Sequence, residues 1–240
     1  MKVINLISGP RNLSTALMYS FAQRDDMCVL DEPFYGYYLK NADVKTNHPS
    51  KEEVMESMEL DQSKVISNIN ALSKNQHVFV KGMAHHYLDD EPKFILDWAN
   101  VLYIRHPKKL IASFSKVIDN PSLTDIGIRK SSRMFEYLKK NGRNPIVIDS
   151  DELLKNPEAY LKSLCDLLDL PFTKKMLSWT KGGIPEDGIW AKHWYTNVHK
   201  SNGFAMQKSS YGPFPEHLQP LLEEALPYYN VLKNNILKNN

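Results

Sequence analysis

Two arginines at the ends of apolar runs carry the chemistry in this sequence. In "LISGPRNLSTALMYSF" (6–21) an apolar run enters a Gly-Pro-Arg turn, and Ser14-Thr15 then open a helical pattern. A strand, a tight turn and a helix start together cradle an anion, because unpaired backbone N–H groups and the positive helix end point at the ligand. Gly9 permits a backbone path that other residues resist. Ser14 and Thr15 add hydroxyl donors, and Arg11 adds a permanent charge on a planar fork suited to two oxygens. "VLYIRHPKKLIASFSKV" (101–117) repeats the plan: Arg105 stands where a strand ends, a helix follows, and Ser113 lies eight residues further on. A guanidinium and a hydroxyl together make a sensible grip on a phosphate. Two such sites on successive crossovers of one sheet suit a ligand with phosphate groups at both ends of a nucleoside.

The first loop lacks the Gly-Lys-Ser or Gly-Lys-Thr ending of a nucleoside-triphosphate loop, and no clear Mg²⁺-holding acidic residue accompanies it, which counts against an ATPase or kinase. It resembles instead the 5′-phosphosulfate loop of sulfotransferases, with Gly9, Pro10, Arg11, Ser14 and Thr15 in matching places and Asn12-Leu13 where that family carries Ser-Gly. Leu13 must then accept the backbone path of the family's glycine. The second segment is similar to the family's 3′-phosphate motif, through Arg105, Pro107 and Ser113, with Tyr103 offset by one place. The resemblance extends over "DEPFY", "VKGMAHH" and "DGIWAKHWYTNVHKSNGF" and so covers most of the chain. It implies 3′-phosphoadenosine 5′-phosphosulfate (PAPS) as donor, the 3′,5′-bisphosphate (PAP) as product, and no metal. It also implies that a late basic, glycine-containing loop folds over the 3′-phosphate; Lys200, Ser201, Asn202 and Gly203 are the candidates.

Sulfuryl transfer asks the protein mainly to align reactants and to stabilise charge on the departing oxygen. Arg11 is the candidate for that charge. An acceptor hydroxyl also needs a base. Glu32 follows the second strand, where some carbohydrate sulfotransferases place a catalytic glutamate. His85 and His86 follow the third, near the family's Lys-Thr-His, but the matching triplet here reads Lys81-Gly82-Met83. All three stay open as the base. Aromatic residues in "FYGYYL" (34–39), with Trp179, Trp190, Trp194 and Tyr195, offer surfaces for a small-molecule acceptor such as a carbohydrate or an aromatic alcohol. A nucleotide or small-molecule kinase, and a non-catalytic nucleotide-binding module of the same fold, are the competing readings.

These residues need a scaffold that brings strand ends together. Strands are expected at 2–7, 27–33, 77–82, 100–107 and 145–154, and helices at 14–24, 50–58, 61–74, 91–99, 108–118, 125–141, 157–170 and 215–236. Strands alternating with helices predict an α/β fold of P-loop type: three αβα layers about a mainly parallel sheet of about five strands, with the site past the carboxyl ends. One domain is expected over 1–240, with an irregular segment around 179–212 covering cofactor and substrate. Among 240 residues, 42% are apolar and 24% charged, the range of a folded globular protein. A net charge of +2 exerts no global pull on nucleic acid. Cys28 and Cys165 are far apart and read as reduced packing residues, and His193 and His199 have no partner at metal-ligand spacing. With a first strand beginning by Val3 and no apolar run of membrane-spanning length, the expectation is a cytoplasmic protein. The sequence assigns no oligomeric state.

Overall fold

The computed structural model describes residues 1–43, 48–205 and 214–238. Among these residues, five parallel strands form one sheet: β1 (Val3–Ser8), β2 (Met27–Asp31), β3 (His77–Met83), β4 (Ala99–Ile104) and β5 (Ile146–Asp149), in the order β2-β3-β1-β4-β5. Every residue of β1 is buried, as the centre of a parallel sheet covered on both faces requires. The chain moves to one side of β1 for β2 and β3 and to the other for β4 and β5, so its crossovers diverge at β1, where such sheets bind ligands. Ser8 at the end of β1 pairs with Met83 on one side and Tyr103 on the other, and Asp31 pairs with Lys81. That register gathers the ends of four strands at one edge.

The helices are α1 (Ser14–Ala22), α2 (Tyr35–Asn41), α3 (Lys51–Ser57), α4 (Gln62–Leu72), α5 (Pro107–Phe114), α6 (Leu123–Ile126), α7 (Ile128–Lys140), α8 (Ser150–Lys155), α9 (Pro157–Leu167), α10 (Ala191–Trp194), α11 (Thr196–His199) and α12 (Gln219–Lys233). One face of the sheet packs on α4, α5, α7 and α12, the other on α1, α8 and α9. Helix α1 is buried nearly all round at Leu17, Met18, Tyr19, Ser20 and Phe21, because the segment after residue 171 lies across its outer side. The Ser20 hydroxyl, for example, donates to the Met176 carbonyl at 2.7 Å.

Four expected elements are corrected. Residues 91–99 are not an α-helix: a short 3₁₀ turn, Lys93–Asp97, leads straight into β4. Asn100 takes up the carbonyls of Ile95 and Trp98 through its amide at 2.7 and 2.8 Å, so the turn needs no further helical bonds. The helix expected at 125–141 is two helices, broken where Gly127 turns left-handed (φ 71°), with Ser122 and Asp125 capping α6 reciprocally. The strand expected at 145–154 stops at Asp149, whose carboxylate caps α8 by accepting from the Asp151 and Glu152 N–H groups at 2.8 and 3.3 Å. The terminal helix is shorter than 215–236, with a 3₁₀ turn at Glu216–Leu218 preceding α12.

A buried amide chain ties the sheet to the turn after β3. The Tyr87 hydroxyl donates to Asn5 Oδ1 at 2.6 Å, and the Asn5 amide donates to Asn100 Oδ1 at 2.9 Å. Tyr87→Phe leaves the Asn5 carbonyl short of a donor in the core and is expected to lower unfolding free energy by about 1–3 kcal/mol in urea titration.

Candidate functional site

The loop after β1 is held by the end of β4. Asn12, almost fully buried, donates its amide to the Tyr103 carbonyl at 2.9 Å, and Arg105 Nη1 donates to the Arg11 carbonyl at 2.9 Å. These bonds fix a strained path: Arg11 (φ 60°) and Leu13 (φ 64°) both adopt the left-handed conformation, which costs a non-glycine residue roughly 1–2 kcal/mol. Leu13 thus stands in the left-handed region that favours glycine. Gly9 serves differently from the expectation. Its backbone is not left-handed; it is needed for space, because a Cβ there would lie 2.4 Å from the Ile126 carbonyl oxygen. Leu13 is the residue preceding α1 and supplies no side-chain cap, and Ser14 is already the first helical residue. The opening N–H groups of α1 thus have no capping side chain between them and the cavity.

Arg11 and Arg105 belong to one cluster. Arg11 Nε donates to Ser113 Oγ at 3.1 Å, on α5, while Arg105 holds the carbonyl of Arg11 itself. Side chains expected on two separate anion grips therefore share a wall.

Beside this wall lies a buried charge cluster on β2 and β3. Lys81 is fully buried, and its three ammonium protons meet three acceptors. These are Asp31 Oδ1 at 2.8 Å, Tyr195 Oη at 2.6 Å, and Glu32 Oε1 in the shortest contact of the group. The Tyr195 hydroxyl donates to Asp31 at 2.8 Å and receives the Trp190 indole N–H at 3.1 Å. Asp31 also accepts the Gly188 N–H at 2.9 Å. Glu32 turns left-handed (φ 48°), and its own N–H bonds the Lys81 carbonyl at 2.8 Å, which bends the chain off the sheet and aims the carboxylate at the cavity. Burial raises the Glu32 carboxyl above the usual carboxylate range against the lowering effect of Lys81, and the Asp31 charge adds to the rise. Burial works against a charged Lys81, but the two carboxylates outweigh it and hold the ammonium above its ordinary value.

His85 and His86 sit on the 3₁₀ turn Ala84–His86. The His86 ring stacks on Tyr35 with centroids 4.8 Å apart, and its Nδ1 is 3.8 Å from Glu32 Oε2. Burial, reinforced by neighbouring histidines, drives His86 well below its usual pKa. Burial likewise brings His85 down to about 4. Both imidazoles are neutral and weakly basic near pH 7, whereas the environment of Glu32 makes that carboxylate a stronger base than usual.

The late segment is closed at its base. Ser178 and Gly203 form an antiparallel bridge, the Trp179 N–H donates to the Asn202 carbonyl at 3.2 Å, and the Trp179 indole donates to Ser201 Oγ at 3.3 Å. Asp187 moors its middle: the carboxylate accepts the Tyr19 hydroxyl at 2.6 Å and pairs with His199 Nε2 at 2.9 Å. Residues 206–212 of the expected covering loop lie outside the described residues.

A cavity of about 800 Å³ joins these parts. Its wall includes Pro10, Arg11, Leu13, Ser14 and Thr15 from the loop, Arg105 and Ser113, Glu32, His85 and His86, and Lys200 to Gly203. Gly9 and Asn12 stand behind the wall and shape it. Tyr35, Tyr38, Trp190 and Trp194 face the Glu32 end. Asp31 and Lys81 had no assigned role in the sequence reading, and Tyr195 was expected only as an aromatic surface for the acceptor, whereas its hydroxyl lies inside the buried charge cluster. Lys81 carries a signal, an ionisable side chain inside the apolar run "VFVKG"; Tyr195 carries none. Among the described residues no three His, Cys, Asp or Glu side chains are grouped to hold a metal ion, and no helix is long and apolar enough to cross a membrane.

Comparison with known proteins follows the same lines. The sulfotransferase domain family matches residues 1–236. Two Arabidopsis thaliana proteins, branched-chain-amino-acid aminotransferase-like proteins 2 and 1, are 41% identical over 235 residues and 39% identical over 237. Those alignments take in 97% and 98% of this chain but 42% of either relative, so the chain spans less than half the length of the curated relatives it matches. Among solved structures, the sulfotransferase from Alicyclobacillus acidocaldarius superposes with a TM-score of 0.55 at 11% identity, covering 98% of this chain and 95% of that one. The sulfotransferase domain of the Synechococcus PCC 7002 olefin synthase gives 0.54 at 17%, covering 98% and 94%. The sulfotransferase domain from the curacin biosynthetic pathway gives 0.51 at 15%, covering 93% and 96%. At such identities the structural likeness shows the fold.

The charge cluster can be tested by itself. Lys81→Met strands two buried carboxylates and is expected to cost roughly 3–5 kcal/mol of unfolding free energy at about pH 8. A carboxyl whose pKa is raised by folding favours the folded state only while protonated, so the loss should shrink as the pH falls towards about 5. Urea titrations at the two pH values check both the size and the sign.

Proposed function

The chain belongs to the sulfotransferase domain family, and from that premise we propose that it moves a sulfuryl group from PAPS to a hydroxyl or amine of a small acceptor. The observation that carries this reading is the convergence of Arg11, Arg105 and Ser113 on one cavity beside Glu32. In this reading Arg105 and Ser113 grip the 3′-phosphate, with Lys200, Ser201, Asn202 and Gly203 covering it. The loop from Pro10 to Thr15 and the first N–H groups of α1 receive the 5′-phosphosulfate. The acceptor lies among the aromatic rings at the Glu32 end, which suit a carbohydrate or an aromatic alcohol.

The acceptor oxygen attacks sulfur as the bond from sulfur to the 5′-phosphate oxygen breaks, and the acceptor proton passes to Glu32. The negative charge arriving on the 5′-phosphate meets Arg11 and the start of α1. Glu32 is preferred over His85 and His86 because burial strengthens it as a base and weakens them. The chemistry as written needs no metal. The curated relatives carry an aminotransferase name, but for proteins more than twice this length; the present reading rests on the family and on the cavity.

Calorimetry with PAP is the direct test. The intact protein should bind it, and Arg105→Ala should weaken binding by about two orders of magnitude, the scale of a lost charge-assisted grip. No binding by the intact protein rejects the proposal, and Mg²⁺-dependent binding of ATP in its place would point to a kinase. Glu32→Gln should leave PAP affinity intact and cut transfer by roughly 10²–10⁴-fold. Because the working base is the ionised carboxylate, transfer should fall as the pH drops through a value above the ordinary glutamate range, a limb that a pH–rate profile reveals.

A further inference from the structure

Asp31 and Glu32 are adjacent carboxylates on one ammonium, yet their surroundings differ. Asp31 receives three donors: Lys81 Nζ and the Tyr195 hydroxyl, each at 2.8 Å, and the Gly188 N–H at 2.9 Å. Glu32 receives one ammonium proton on Oε1, and the Tyr195 oxygen stands off at 3.5 Å. A carboxylate whose lone pairs are taken up by donors has little room for a substrate proton; one that keeps lone pairs towards a cavity can accept it. Two of the three donors on Asp31, from Gly188 and Tyr195, come from the late segment, more than 150 residues away in sequence.

We propose that Tyr195 is a positioning residue for Glu32: by donating to Asp31 while accepting from Lys81, its hydroxyl satisfies the one carboxylate and keeps the ammonium shared with the other. The inference rests on the reading of Glu32 as the base. The hydroxyl is well placed for the task. It lies between both charges, is steadied by the Trp190 indole at 3.1 Å, and belongs to a buried residue. The groups that face Glu32 are Asp31 on β2, Lys81 on β3, His86 on the turn after β3, Tyr35 on α2, and Tyr195 itself. Of these, Tyr195 alone touches the ammonium and the second carboxylate together. Without its hydroxyl, Asp31 lacks one donor and draws the ammonium to itself. Glu32 then loses screening and holds its proton to higher pH. The same segment carries Lys200 to Gly203 on the cavity wall, so its docking on the sheet would also set the base.

Tyr195→Phe keeps the ring and removes the hydroxyl. The acid limb of kcat/KM for PAPS-dependent transfer should move upward by roughly half to one pH unit, the size of one hydrogen bond's effect. PAP affinity by calorimetry should stay within about twofold, since a positioning role leaves the nucleotide grip alone. Titration of the Glu32 carboxyl carbon by NMR in the intact protein, assigned with Glu32→Gln, reads the same shift without any turnover. If Glu32→Gln transfers at the unaltered rate, the base assignment falls while the NMR midpoint still decides the role of Tyr195. An NMR midpoint that does not move in Tyr195→Phe overturns the proposal. Should that variant fail to fold, Trp190→Phe, which removes the indole donor, should give a smaller shift in the same direction, and an unmoved midpoint there overturns it equally.

Discussion

A lysine with no exposure to solvent keeps its charge only if that charge is paired, and the β2–β3 side of the cavity is arranged around that demand. Lys81 sits on β3 directly opposite Asp31 in the strand register, so the pairing of β2 with β3 and the pairing of the charges are one event. A slip of the strand by one residue would turn Lys81 to the other face and leave Asp31 alone. The ammonium then fixes the first residue beyond β2, since Glu32 must bend back through a left-handed backbone to reach it. It fixes the late segment as well, since Tyr195 supplies the third acceptor. Much of the electrostatic energy goes into meeting desolvation rather than adding net stability, as is usual for buried ion pairs. What the arrangement gives is direction: two carboxylates with different surroundings at one strand end.

The wall built from the loop after β1 and the end of β4 obeys a different constraint, that of backbone proximity. The loop after β1 is pressed between the end of β4 and the carbonyl of Ile126, leaving space at Gly9 for a hydrogen and nothing larger. Asn12 and Arg105 lock that loop through backbone carbonyls rather than through each other. Leucine can therefore stand where the family carries glycine. The strain at Leu13 is local, and the buried amide of Asn12 beside it holds the path in place.

The strands and the paired arginines were legible because their signals are local. Apolar runs closed by Gly-Pro or His-Pro mark strand ends, and Arg105 with Ser113 fall on one turn-and-helix unit. Failures came where a distant contact decides. The run 91–99 has a helical composition, but Asn100 captures its carbonyls and stops it after one 3₁₀ turn. Helix α1 was legible as a helix, but its burial nearly all round was not, because a segment more than 150 residues later covers its outer side. The charge cluster was half readable. Lys81 within an apolar strand, next in register to an Asp-Glu pair, is a signal that strand pairing alone would have exposed. Tyr195 was beyond reach, being joined to Lys81 across 114 residues by no pattern that composition carries.

The mooring of residues 178–203 changes what kind of object that stretch is. Most long irregular connections open and close against a rigid body at little free-energy cost. Here one carboxylate, Asp187, is shared between the phenol of a core helix and an imidazole of the segment, while the two ends are stitched by main-chain bonds. Lifting it would uncover Tyr19, Trp179, Trp190 and Tyr195 at once, all of them buried. The stretch is thus tied to the domain centre at those points, where opening it would cost core burial, while the residues between them face solvent.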